Sequence, residues 1–231
     1  MGEAAAKAVA ESIRRCVKTL GRVNMVFAAA PSQNEFLAAL VREADVDWTK
    51  VYAFHLDEYI GLPESAPQRF ATFLKERLFS LVPFKEVHYL NGNAPDIEAE
   101  IKRYSRLLET HPLDIACIGI GENGHIAFND PPVADFRDPQ LVKKVELESR
   151  CREQQVHDGC FASLDQVPTH ALTLTIPAIM AAKEIHCIVP GPTKTKAVHD
   201  TLYGPVGEVC PASILRTHER AVLYVDVEAA G

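Results

Sequence analysis

Four short segments of this chain carry residue types suited to acid–base and phosphate chemistry. Asp57-Glu58-Tyr59 offers neighbouring carboxylates, and Gly121-Glu122-Asn123-Gly124-His125 sets a histidine in a glycine-rich turn. Pro31-Ser32-Gln33-Asn34 and Gly191-Pro192-Thr193-Lys194 are polar turns, the second with a lysine. Asp130 lies five residues beyond His125, close enough to orient its imidazole, and a carboxylate-paired histidine exchanges protons near neutral pH. Asp57 and Glu58 point to opposite sides of a strand, so one of them meets a crevice. Ser32-Gln33 and Thr193-Lys194 each open a predicted helix, where free N–H groups and a partial positive charge suit phosphate. Taken singly, each segment has a plainer reading. Ser32 and Thr193 can be N-caps, Lys194 a solvated lysine, Asp57 a turn residue before Gly61-Leu62-Pro63, and His125 a structural histidine.

The elements that would position these residues decide between the two readings. Apolar positions at helical spacing predict an amphipathic helix over Glu3–Leu20. Strands are expected at Val23–Ala30, Val51–Leu56, Val87–Leu90, Leu113–Ile120, Lys143–Leu147, Ala171–Ile176, Ile185–Val189 and Ala221–Val225. Helices are expected at Gln33–Ala44, Gln68–Leu81, Ile97–Glu109 with Asp96 as cap, and Thr193–Leu202. Short apolar strands alternating with helices indicate an α/β fold, a mostly parallel sheet with helices on both faces. Each of the four segments directly follows a predicted strand. Parallel strands end on one edge, where ligands bind, so the four converge and an anion site outweighs separate caps. Phe128–Cys160 is the least regular stretch, with Pro131, Pro132 and Pro139 breaking any helix; it reads equally as an active-site lid or a surface loop.

The composition narrows the partners. A formal charge of -7 over 231 residues argues against a nucleic-acid surface, and neither a membrane span nor a secretion signal is expected. The six cysteines are scattered, which points to reduced thiols in a cytoplasm. Cys151, His157 and Cys160 lack a fourth ligand at zinc spacing, so no metal is expected. A homo-oligomer is compatible with the sequence, which does not set the oligomeric state.

Two long stretches, Leu56-Asp57-Glu58-Tyr59-Ile60-Gly61-Leu62 and Gly119-Ile120-Gly121-Glu122-Asn123-Gly124-His125-Ile126-Ala127-Phe128-Asn129-Asp130-Pro131, closely resemble the glucosamine-6-phosphate deaminase family. So do Leu90-Asn91-Gly92-Asn93-Ala94, Val167-Pro168-Thr169-His170-Ala171-Leu172-Thr173 and the Gly191–Lys194 turn. The resemblance runs from about Val23 to Val225 and implies one domain over residues 1–231 with a Rossmann-like, doubly wound fold. It implies conversion of glucosamine 6-phosphate and water to fructose 6-phosphate and ammonia, with a small-molecule sugar phosphate as partner and no metal or organic cofactor. By the resemblance, Asp57 takes the C2 proton and returns it at C1. His125, assisted by Asp130 and Asn123, opens the ring, and Gly119 approaches the sugar. Lys194 and the Ser32-Gln33 turn hold phosphate, joined by an arginine corresponding to Arg152 or Arg150.

This sequence departs from the family pattern in four places. Asn123 stands where many members carry aspartate, leaving Asp130 as the carboxylate support of His125. Asp130 is one methylene shorter than the usual glutamate. The phosphate loop is Ala28-Ala29-Ala30-Pro31-Ser32-Gln33-Asn34 rather than Gly- and Thr-rich, and a first strand ahead of Glu3 is not seen. The related 6-phosphogluconolactonases share the fold and the Gly-x-Gly-x-x-Gly-His turn. A lactone hydrolase, which has no need of Asp57, is therefore the second reading. A sugar-phosphate sensor ranks last, because no helix-turn-helix or basic segment accompanies the chain.

Overall fold

In the computed structural model, which describes residues 1–231, the opening amphipathic stretch forms α1 (Gly2–Leu20), ended by Gly21 in the left-handed region at φ 73°. β1 (Val23–Phe27) leads through a 3₁₀ turn at Pro31–Gln33 into α2 (Asn34–Leu40). β2 (Val51–His55) and β3 (Asp57–Tyr59) follow, then α3 (Phe70–Leu74), which widens into a π turn at Lys75–Phe79. β4 (Glu86–His88) precedes α4 (Ile97–Thr110), which Asp96 caps by accepting from Ala99 N. β5 (Ile115–Ile118) and β6 (Val142–Glu146) lead to α5 (Ser149–His157). β7 (His170–Leu174), α6 (Ile176–Met180), β8 (Glu184–Val189), α7 (Thr195–Tyr203), β9 (Ala221–Val225) and α8 (Val227–Ala230) complete the chain.

Six strands form a wholly parallel sheet in the order β4-β2-β1-β5-β8-β9. Alternate residues of its central strands feed opposite cores, because a strand's side chains alternate faces. Val23, Met25, Phe27, Ile115 and Cys117 pack in the core that takes the buried face of α1 and α2. Val26, Ala116 and Ile118 join the core built with Ile101, Tyr104 and Val198 of α4 and α7. Both faces are covered, so these strands are buried on both sides and read as continuous apolar runs.

The remaining strands do not extend this sheet. β3, β7 and β6 form a separate antiparallel sheet, with Asp57 opposite Thr173. Leu56 is the crossing point. Its N–H donates to Phe27 O at 3.2 Å, in the parallel sheet, while its carbonyl accepts from Leu174 N at 2.8 Å, in the second. The expected run Val51–Leu56 thus ends in a change of partner, which puts Asp57 at the junction of the two sheets. The Phe128–Cys160 stretch also differs from expectation. Its three prolines all precede β6, and the proline-free run after Glu148 forms α5. The expected helices at 33–44 and 68–81 are shorter than their apolar spacing indicated. No helix is long and apolar enough to cross a membrane.

Candidate active site

The loops after β1, β2, β5 and β8 meet at the carboxyl edge of the parallel sheet. Ser32, Gln33, Asp57, Gly119, His125 and Lys194 line one cleft, together with Ala28–Ala30, Phe70, Gln154 and Gln155. The cleft measures about 70 Å³ and adjoins a groove of about 350 Å³ that shares Ala29, Ala30, Phe70 and Gln155.

Asp57 and Glu58 take opposite sides. Asp57 lines the cleft and is buried; burial, then the neighbouring Glu58, pushes its carboxyl well above the usual range. Such a carboxylate is a stronger base than one in water. Glu58 turns away. Its Oε1 accepts from Tyr59 N at 3.0 Å and Phe70 N at 3.1 Å, and its Oε2 accepts from Ala71 N at 3.0 Å, so it holds the start of α3. His55 is structural as well: burial pushes it down to about 3, and its neutral Nε2 accepts from Leu90 N at 2.7 Å.

His125 lies back over its own turn. A Cβ on Gly121 would fall 2.0 to 2.4 Å from the imidazole atoms, so glycine is required there for the ring to occupy this place. Gly124 holds φ 83°, which a side chain would strain. The ring's Nδ1 lies 2.7 Å from Asn123 Oδ1 and 2.9 Å from Asp130 Oδ1. Burial alone would raise Asp130. The charge of His125 and the hydrogen bonds from His125 and Asn123 outweigh it and hold the carboxyl below its ordinary value. Ala127 adopts φ 50°, and Asn129 secures that turn by donating to Ile126 O at 2.9 Å and Leu174 O at 2.8 Å. An alanine in the left-handed region costs on the order of 1 kcal/mol and marks an over-determined loop.

Lys194 is not the solvated lysine that its position at a helix start allowed. It is only 5% exposed, and burial lowers its pKa against the weaker opposing pull of Asp158 and Glu122. The turn before it is fixed by Asp226, which accepts from Gly191 N at 3.1 and 2.9 Å. Gln33 is also buried. Its amide donates to Ile188 O at 3.1 Å, directly beneath Gly119, where a Cβ would lie 3.1 Å from Gln33 Nε2. Ser32 and Gln33 sit in the 3₁₀ turn ahead of α2 rather than in its first turn.

Arg152 does not join this cleft. Its guanidinium donates to Leu164 O at 2.7 Å and Val167 O at 2.9 Å, tying α5 to the following turn, and Arg150 is exposed. The cysteine–histidine cluster is also rearranged, with His157 exposed beside Glu122. Instead His125, Asp130 and Cys151 bring their ligand atoms within 4.8 Å of one another. Burial, then Asp130, pushes the Cys151 thiol well above its usual range, and the imidazole and carboxylate already bond each other. This is a proton-handling group with a thiol beside it, and a soft divalent ion would have to displace those bonds to enter.

The polar residues missed from sequence cluster at α5. Gln154 and Gln155 line the cleft from it, and Glu148, the residue before the helix, accepts from Asn123 Nδ2 at 2.8 Å; Cys151, noted only as a possible metal ligand, stands beside Asp130. The available signal was the composition of Ser149–His157, rich in Arg, Glu and Gln, which are good helix formers.

The chain matches known proteins over nearly its whole length. Residues 1–224 match the family described as glucosamine-6-phosphate isomerases/6-phosphogluconolactonase. A glucosamine-6-phosphate deaminase of Listeria welshimeri is 40% identical over 227 residues, covering 98% of this chain and 94% of that protein. One from Streptococcus equi subsp. equi is 37% identical over 229 residues, covering 99% and 93%. A solved monomeric glucosamine-6-phosphate deaminase superposes with a TM-score of 0.89 at 30% identity, over 99% of this chain and 94% of its own. A 6-phosphogluconolactonase from Thermotoga maritima, at 23% identity and a TM-score of 0.73, covers 95% and 94% and shares the fold.

Proposed function

This chain belongs to the glucosamine-6-phosphate isomerase/6-phosphogluconolactonase family, and from that premise we propose that it converts glucosamine 6-phosphate and water to fructose 6-phosphate and ammonia. The observation that carries this reading is one cleft with a carboxylate of raised pKa, a carboxylate-paired histidine and a buried lysine at the end of a third loop. A lactone hydrolase needs the histidine and the cation, but it gives Asp57 nothing to do.

His125 acts first in this mechanism. With Nδ1 facing two acceptors, its Nε2 is the nitrogen free to take the proton of the anomeric hydroxyl and pass it to the ring oxygen, opening the pyranose. Asp57 then removes the proton at C2 while the aldehyde oxygen takes a proton from the C2 ammonium of the substrate, leaving an enolamine across C1 and C2, and Asp57 returns the C2 proton to C1. The C2 iminium so formed is hydrolysed by water, which leaves the ketone oxygen at C2 and the C1 hydroxyl in place and releases ammonia. One carboxylate suffices for both transfers because the two carbons are adjacent. Lys194, with Ser32 of the neighbouring turn, receives the phosphate. Binding energy from that remote group holds the sugar with C2 against Asp57. No step calls for a metal or organic cofactor. The six free cysteines and the sugar-phosphate substrate fit a cytoplasmic enzyme.

Ammonia release from a panel of hexosamine 6-phosphates tests the reading. Turnover of glucosamine 6-phosphate with fructose 6-phosphate as product is expected. Hydrolysis of 6-phosphogluconolactone with no ammonia from any aminosugar would replace it by the lactonase function.

A further inference from the structure

We propose that Glu148 is a positioning residue for His125, acting through the side-chain amide of Asn123. The inference deepens the function proposed above and rests on it. Every polar atom of the Asn123 side chain is used. Nδ2 donates one hydrogen to Asp130 Oδ1 at 2.9 Å and the other to Glu148 Oε2 at 2.8 Å. Oδ1 accepts from His125 N at 3.1 Å and faces His125 Nδ1 at 2.7 Å. Carboxylates only accept hydrogen bonds, so the two of them fix which end of the amide faces them. The amide oxygen is thereby turned toward His125, where it meets a hydrogen on Nδ1. The bare Nε2 is the nitrogen left for the substrate.

Asp130 alone does this less securely. The same Asp130 oxygen that receives Asn123 also lies 2.9 Å from His125 Nδ1, so it serves two donors. Without Glu148, one Asn123 hydrogen has no partner and the amide is anchored at a single shared atom. A charged acceptor for that hydrogen makes the stronger kind of bond.

The position of Glu148 in the chain argues against a purely local role. It is the residue before α5, its side chain makes no capping bond, and it reaches across to Asn123 instead. Six residues later Gln154 Oε1 accepts from Glu122 N at 2.8 Å. α5 therefore clamps two consecutive residues of the histidine turn.

Two variants separate this from simple support of the fold. Glu148→Gln keeps an acceptor oxygen for Asn123, and Glu148→Leu removes it. For partners that orient a metal-bound histidine the loss is roughly 10- to 100-fold in activity, and a loss of that order is taken as the measure for an orienting partner of His125. That loss is expected in kcat for Glu148→Leu on glucosamine 6-phosphate, with KM and melting temperature unchanged and Glu148→Gln close to wild type. Histidine-selective ¹⁵N spectra of the free wild-type protein should show His125 protonated at Nδ1 and bare at Nε2, and the Leu variant should show broadened or split signals for that ring. Equal losses in the two variants, a rise in KM alone, full activity of Glu148→Leu, or a wild-type ring protonated at Nε2 overturns the proposal. The spectra need no turnover, so they judge the positioning even if the wild-type enzyme releases no ammonia, a result that would sink the functional reading instead.

Discussion

Replacing Lys194 by methionine removes the cleft-lining cation of the Gly191 turn while keeping most of the buried alkyl stem. Lys194 forms no ion pair in the structure, and burial outweighs the favourable charges of Asp158 and Glu122 on it. A hydrogen bond from a charged donor to phosphate contributes roughly 1.5–3 kcal/mol. At about 1.4 kcal/mol per tenfold, its loss weakens binding of a 6-phosphorylated sugar about 10- to 140-fold. The phosphate is held before as well as during the chemistry, so most of the loss belongs in KM, and the part that places C2 against Asp57 falls on kcat. Stability moves the other way. Burial lowers the Lys194 pKa in the folded state, so keeping the ammonium charged works against folding at every pH below that lowered value. The methionine variant should melt higher than wild type near neutrality, and the difference should narrow as the pH rises through the lowered pKa. Steady-state ammonia release and thermal melts at several pH values measure both effects. A KM within twofold of wild type would place the phosphate elsewhere in the cleft. A sharply lowered melting temperature would show that Lys194 is a packing residue whose charge the fold requires.

Other substitutions have separate signatures. Asp57→Asn should abolish turnover and leave substrate binding intact. Because the Asp57 pKa is raised by burial, this variant should also be more stable than wild type at neutral pH, with the gap closing as the pH falls through the raised pKa; near-normal deamination by it would remove Asp57 from the mechanism. His125→Gln should slow the cyclic substrate by roughly 10²–10⁴ and an analogue with a much larger open-chain fraction far less. Equal losses for both, accompanied by thermal destabilisation, would mean that the histidine is structural. Gly121→Ala should displace the imidazole, because the new Cβ would lie 2.0 Å from the ring, and misplacement by about 1 Å can lower kcat 10²-fold; unchanged kcat would show that the ring stands elsewhere during catalysis.

The sequence by itself determined the parallel sheet and the edge at which the chemistry gathers. Period and residue type carry that information locally: apolar runs such as Ile115–Ile118 and Ile185–Val189 can be buried on both faces only in a covered sheet. Polar residues that directly follow strands must then share one edge. The motifs around Asp57 and His125 also named the family, because their spacing is itself the geometry of short, rigid turns. Tertiary structure alone decided the rest. Glu58 and Asp57 could be assigned opposite sides from sequence and the resemblance named Asp57, but what turns Glu58 away is Leu56 changing sheets and α3 needing a partner for Phe70 N and Ala71 N. Lys194 became a buried cation because the loops around it close over a helix start that looks exposed in one dimension. Arg152 left the site because rotation along α5 turns it toward Leu164 and Val167. Glu148 reached Asn123 across 25 residues, a pairing that no periodicity records, since a hydrogen bond between distant segments exists only once packing has brought them together.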